Sequence, residues 1–258
     1  MNNRKRLFYD IETSFNTIAD FSCGWNKTIR PNQIIKERQI ICISWKWEGE
    51  ESVHHVDWGK KQCDKKLLKK FVKEMNKANQ LIGHNADRFD IKWIKTRCLY
   101  HGIETQVNYR TVDTLKLAKS CLYLNSNKLD YIAQYLEVGA KTDTGGFDLW
   151  KDVCLDNNKE ALAKMIKYCD NDVVILEKVF NKLNKITKKK THYGVLMGQG
   201  KESCPECTSY NVGLSKKYIT TTGVQRFNMM CRECKTLYTV SGKVYQDLLN
   251  YKMLNGIK

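Results

Sequence analysis

From about Asn158 to Lys185 an apolar side chain recurs every three or four residues: Leu162, Met165, Ile166, Cys169, Val173, Leu176, Phe180 and Leu183. Such a stripe runs along one side of a long helix and is buried only against another apolar surface. The upstream chain supplies one. "RLFYDIE", "QIICISWKW" and "ESVHHVDW" are apolar, β-branched or aromatic runs, the last two joined by "EGE" as a hairpin, and "QLIGHN" is again strand-like. Residues 62–78 put Leu67, Leu68, Phe71, Val72 and Met75 on one helical stripe, and "RFDIKWIKTRCLYHG" makes a helix stopped by Gly102. "VDTLKLAKSCLYL" and "NKLDYIAQYLEVG" read as two further helices, the second ended by Gly139. This alternation predicts an α/β domain in which three or more helices pack on one mixed sheet.

The helical period dissolves into "KITKKKTHYGVLMGQGKES", so residues 1–186 form the first domain and 187–200 a basic, glycine-containing linker. Residues 201–258 follow as a small β-rich unit ending in the amphipathic stretch "KVYQDLLNYKML", and "KTDTGG" at 141–146 reads as a loop. No run approaches the eighteen or so apolar residues that span a bilayer, and "MNNRKR" lacks a signal peptide's apolar stretch. The expectation is a monomeric cytoplasmic protein with no membrane partner. Abundant Asn, Ile and Lys suggest an AT-rich genome, and a viral source would make that compartment the host cytoplasm.

The first strand ends on Asp10 and Glu12, which, two residues apart, emerge on one side of a sheet. On the long helix Tyr168 and Asp172 are four residues apart, roughly 40° around the axis, at the edge of the apolar stripe. Asp90 directly follows Phe89 at the start of a helix and can join them only through the fold. Four carboxylates converging on one place repel one another unless a hard cation such as Mg²⁺ or Mn²⁺ holds them. Taken singly, Asp-x-Glu at a strand end is usually solvated charge. Their joint order along the chain gives the pattern its weight.

With Asp10-x-Glu12 on the first strand, Asn85 and Phe89-Asp90 in the middle and Tyr168-x-x-x-Asp172 on the last helix, residues 5–185 resemble the DEDD superfamily of 3′–5′ exonucleases, in its tyrosine subclass, to which polymerase proofreading domains belong. The resemblance implies a ribonuclease H-like fold. It also implies that Asp10, Glu12, Asp90 and Asp172 hold two Mg²⁺ or Mn²⁺ ions, that Tyr168 orients the attacking water, and that Thr13 and Asn85 meet the substrate or the metal loop. A capping Thr and a turn Asn explain the last two equally well. The segment 15–36 intervenes between the first two strands; Phe15, Phe21 and Trp25 could stack on bases there or form local core, with core favoured for Phe21. His54, His55 and His101 lack metal spacing, and His84 reads as shaping its loop.

Seven of the eleven cysteines (23, 42, 63, 98, 121, 154 and 169) are scattered without spacing and read as buried thiols. Cys204, Cys207, Cys231 and Cys234 instead form two C-x-x-C pairs, the ligand set of a structural tetrahedral zinc site; a redox pair is the competing reading. "RFNMMCRECKTLYTV" resembles the second half of zinc ribbons, so the fold class is an α/β ribonuclease H-like mixed sheet with flanking helices plus a small C-terminal β-rich zinc ribbon. The net charge is +16, and from Lys182 onward 14 basic residues face 4 acidic ones. Nucleic acid is therefore the leading partner. Lys216, Lys217 and Arg226, interleaved with Tyr218 and Phe227, offer it a basic and aromatic face. The functional expectation is a 3′–5′ exonuclease hydrolysing single-stranded DNA to nucleoside monophosphates, with a replication polymerase or clamp as a possible protein partner. The alternatives are an exoribonuclease with the same chemistry and a non-catalytic nucleic-acid or polymerase-binding adaptor.

Overall fold

The computed structural model describes residues 5–22, 24, 26–107, 109–140, 145–187 and 191–256. They form two compact units that part between Leu183 and Asn184. The first begins with β1 (Arg6–Thr13), β2 (Thr17–Ile18), β3 (Ile34–Lys36), β4 (Ile40–Trp47) and β5 (His54–Asp57). It continues through α1 (Lys65–Met75), β6 (Gln80–Gly83), α2 (Asp90–Tyr100), β7 (Thr111–Asp113), α3 (Thr114–Cys121), α4 (Leu129–Tyr135), α5 (Phe147–Cys154) and α6 (Lys159–Ile186).

Five strands make one mixed sheet in the order β5-β4-β1-β6-β7. β1 runs antiparallel to β4 along nearly its whole length, from Leu7 opposite Trp47 to Thr13 opposite Ile40. On its other side it pairs in parallel with β6 only at Arg6, Leu7 and Phe8. From Tyr9 onward β1 overshoots β6, so a notch opens beside its second half.

The sheet has a core on each face, and the alternation of β1 decides what enters which. Leu7, Tyr9 and Ile11 join the cluster that contains α1, α2, α5 and the first turns of α6. Phe8 enters the opposite cluster with Val173, Leu176, Val179, Phe180 and Leu183 of α6, its ring edge-on to Phe180 at 5.5 Å. Asp10 and Glu12 continue the row of Phe8 by the two-residue period and so lie on that second face. The stripe read from the sequence is the buried side of α6.

Besides β2 and β3, two elements of this unit were not anticipated. β7 has three residues, and α5 buries only Leu149 and Val153. A buried ionic cluster also fixes the frame. Asp64 is fully buried and accepts hydrogen bonds from Arg97 Nε at 2.7 Å and Nη2 at 2.9 Å, and from the Ile40 N–H at 3.1 Å, while His101 Nε2 lies 2.6 Å away. It ties the start of α1 to the end of α2 and the start of β4. In the inserted segment β2 pairs with β3, and Phe21, expected as local core, is fully exposed. Trp25 and Cys23 lie outside the described residues, as do residues 141–144 of the expected loop. Cys63 is exposed rather than buried.

The second unit contains α7 (Tyr193–Leu196), β8 (Val212–Ile219), β9 (Gln225–Cys231), β10 (Leu237–Ser241) and α8 (Gly242–Leu254). Its antiparallel sheet has the order β10-β9-β8, and its small core joins Cys204, Val212, Phe227, Met229, Cys231 and Leu248. The stretch read as a linker includes α7: Tyr193 is buried and its N–H donates to Pro205 O at 2.8 Å. One aromatic ring supplied enough apolar surface to fold a segment whose lysines and glycines suggested none. No helix among the described residues is long and apolar enough to cross a membrane.

Candidate active site

A cleft of about 770 Å³ is lined by Asp10 of β1, His84 and Asn85 after β6, and Tyr168 and Asp172 of α6. Three segments distant in sequence thus meet where β6 ends. Asp10 is anchored from α6: Cys169 Sγ donates to its backbone O at 3.5 Å and lies 3.7 Å from Oδ2. The turn "GHN" builds the opposite wall. Asn85 sits at φ +61°, and a Cβ on Gly83 would come within 2.5 Å of Ala86 Cβ, so the turn tolerates nothing larger there. Asp113, at the end of β7, accepts from the Asn85 N–H at 2.9 Å and caps α3 through the Leu115 N–H at 3.0 Å. His84 bonds Thr114 Oγ1 and Asn127 O, both at 2.9 Å, tying the turn to α3 and to the loop before α4.

Asp90 opens α2 and is buried, with its carboxylate accepting from the N–H of Ile11, between Asp10 and Glu12. Burial, with the charge of Asp113 added, pushes its acid up to about 7 although two backbone N–H groups favour the anion. Burial also raises the Tyr9 phenol well above its ordinary value, reinforced by Asp90, Asp87, Asp10 and Asp113. Negative charge is therefore concentrated at the notch. Asp10, Glu12, Asp90 and Asp172 present oxygen donors only, the chemistry a hard divalent cation takes. Among the described residues these carboxylates do not gather as closely as the four cysteines below.

Arg38, a residue that composition and motif gave no reason to single out, lies within the electrostatic reach of Glu12. Arg38 donates from Nε and Nη2 to Thr13 Oγ1, at 2.9 and 2.6 Å, and its guanidinium lies 5.3 Å from the Phe89 ring and 5.2 Å from Trp93. Thr13 is buried, and its backbone O accepts from Trp150 Nε1 at 3.1 Å. Phe15 is half-buried, its ring 5.3 Å from Phe147; with Thr13, Arg38 and Trp150 they line a second hollow of about 430 Å³.

In the second unit Cys204, Cys207, Cys231 and Cys234 bring their sulfurs within 4.8 Å of one another, the tightest such cluster among the described residues. Cys204 lies 3.6 Å from Cys234 and Cys207 3.5 Å from Cys231. Bonds of about 2.3 Å in a tetrahedron place sulfurs roughly 3.8 Å apart, so the cluster fits one ion. Burial raises the Cys204 thiol and pushes Cys207 up to about 12, with neighbouring cysteines adding to both. Burial also opposes the Cys234 thiolate, yet hydrogen bonds with Thr236, Cys207 and Cys204 outweigh it and hold that thiol below its ordinary value. Lys216 and Arg226 share one side of the sheet, whereas Lys217 lies opposite Phe227 with Nζ 5.8 Å from that ring, on the other side.

Comparison with curated proteins finds no match. Among solved structures, the fold is similar to that of a family B DNA polymerase from the hyperthermophilic archaeon Pyrobaculum calidifontis, with a TM-score of 0.52 and 15% sequence identity over 70% of this chain. The match spans 25% of the polymerase chain. A protein-family model matches residues 7–184, which take in the whole mixed sheet, the notch and the cleft beside it; the chain belongs to the RNase_H superfamily.

Proposed function

We propose that the first unit is a two-metal-ion 3′–5′ exonuclease of the DEDD tyrosine subclass that hydrolyses single-stranded DNA to nucleoside monophosphates. The observation that carries this reading is the meeting of Asp10, Tyr168 and Asp172 in one cleft, with Asp90 bonded to the β1 backbone between Asp10 and Glu12. Asp10, Glu12, Asp90 and Asp172 would hold two Mg²⁺ or Mn²⁺ ions. Such a pair, when bound, supplies charge neutralisation at the phosphate and a water acidic enough to attack at neutral pH. The Tyr168 hydroxyl orients the attacking water, and β1, hydrogen-bonded along β4, holds Asp10 and Glu12 in place. Asn85, in the cleft, positions the terminal nucleotide, while Thr13, buried and held by Arg38 and Trp150, shapes the second hollow, where Phe15 offers a ring for stacking. A DNA polymerase shares the fold, which favours DNA over RNA.

The second unit is read as a zinc ribbon. Its closed cysteine set leaves no open position for catalysis, so the zinc is structural and the ribbon an accessory nucleic-acid binder. Incubation of a 5′-labelled single-stranded oligonucleotide with Mg²⁺ or Mn²⁺ should shorten it one nucleotide at a time, and Asp10→Ala should stop the reaction. An intact strand after incubation with the unaltered protein ends the proposal; faster digestion of a matched RNA strand moves it to the ribonuclease reading.

A further inference from the structure

We propose that the open face of the β10-β9-β8 sheet is a binding site for single-stranded nucleic acid, with Tyr218 as its stacking platform and Lys216 and Arg226 as its phosphate contacts. The proposal rests on the reading of the ribbon as a nucleic-acid binder and assigns the surface that does it. Alternation along β9 divides its residues cleanly. Phe227, Met229 and Cys231 are buried toward α8, where Phe227 stacks on Tyr245 at 4.2 Å. Arg226, Asn228 and Met230 must therefore point away from that helix.

The register extends this second face across all three strands. Arg226 lies between Tyr218 and Ser241, and Asn228 between Lys216 and Thr239. Thr239 Oγ1 donates to Asn228 Oδ1 at 2.8 Å, as side chains on one face can. Among the described residues α8 packs on the opposite side of this sheet, and on the open side Tyr218 is 37% and Met230 39% exposed. Its chemistry narrows the occupant. The three strands contain no Asp or Glu, and they combine two outward cations with an exposed aromatic ring and amide and hydroxyl groups. Met230 and Leu237 make one end of the face apolar, while at the other end two cations beside an exposed ring, with no acidic residue on the strands, match a polyanion with stackable bases. Arg226 is the cross-strand partner of Tyr218, and Lys216 lies one row, about 7 Å, along the same strand as the ring, so both cations neighbour it.

Lys217 makes the assignment testable, because it is adjacent in sequence to both Lys216 and Tyr218 yet belongs to the opposite face. Binding of fluorescein-labelled dT20 to the full zinc-loaded chain is measured by anisotropy, with no Mg²⁺ or Mn²⁺ added. Lys216→Gln with Arg226→Gln should weaken binding at least tenfold and lower the slope of log K against log salt by about 1.4. Tyr218→Ala should weaken it at least fivefold, and Lys217→Gln less than threefold. Zinc content and far-UV circular dichroism confirm that each variant is folded. Equal losses at Lys217 and Lys216 would overturn the proposal in favour of diffuse charge attraction, and unchanged binding in the open-face variants would show that the face serves something other than nucleic acid. The assay needs no hydrolysis, so a chain unable to digest any strand would sink the exonuclease reading and leave this result standing.

Discussion

Tyr168 and Asp172 share a face of α6 because four residues nearly complete a turn, and that pair was legible without a structure. Tyr168→Phe keeps the ring and removes only the hydroxyl; steady-state kinetics should show kcat down on the order of 10²-fold with KM little changed, because the role proposed for the phenol is on the water rather than in strand binding. His84 and Arg38 were not legible. Their partners, Thr114, Asn127, Thr13 and Glu12, stand more than twenty residues away, and no local period records such a pairing.

Asp64 gives a residue-scale prediction about the frame. Burial alone would raise its acid, but hydrogen bonds from Arg97 and His101 and the Ile40 N–H outweigh it and hold the acid below the ordinary carboxylate range. Its contribution to stability is complete above the unfolded-state value, about 4, and disappears as pH falls through the lower folded value. Asp64→Asn should therefore cost about 3 kcal/mol at pH 7 by leaving the Arg97 charge buried and unmatched. The gap between the two proteins in urea unfolding should be flat near neutrality and narrow as pH falls below about 4.

At the scale of elements, strong periods were read correctly, while β7, α5 and α7 were not. The 28-residue α6 and the eight-residue β1 announce themselves, one by its stripe and the other by its apolar run. β7 spans three residues, too few for an alternation to register, and α5 spans eight with two buried. The α7 turn was hidden by its composition. Because α6 gives both the second core and two candidate site residues, its packing and the site are coupled. Phe180→Ala, which removes the ring against Phe8, should cost about 3–5 kcal/mol in chemical unfolding. It should lower activity at temperatures where the variant is still folded, since Tyr168 and Asp172 ride on the same helix.

For the molecule as a whole, the division into two units predicts separable losses. Native mass spectrometry should find one zinc per chain, and a strong chelator should melt the signal of 201–258 while the first unit keeps its cooperative transition. Cys231→Ser should weaken binding to long strands more than it slows hydrolysis of a dinucleotide; equal losses would show that the ribbon does not act as a separate holder of substrate. The Asp10/Glu12 and Tyr168/Asp172 pairs and the two C-x-x-C pairs were visible in the sequence because their spacing is local within each motif. Which lysine of "KK" at 216–217 faces outward was not, since a bulge between Leu214 and Lys216 shifts the register and only cross-strand pairing fixes the outcome.

The early end of β6 has a developmental logic for the fold. A central strand left bare along half of one edge is ordinarily an invitation to another strand, yet here Asp90 occupies the Ile11 N–H that such a strand would claim. Lengthening β6 by two residues past Gly83 would zip that edge shut, complete the ladder and make a more regular sheet, and in doing so would close the notch beside the second half of β1, where Asp10 stands.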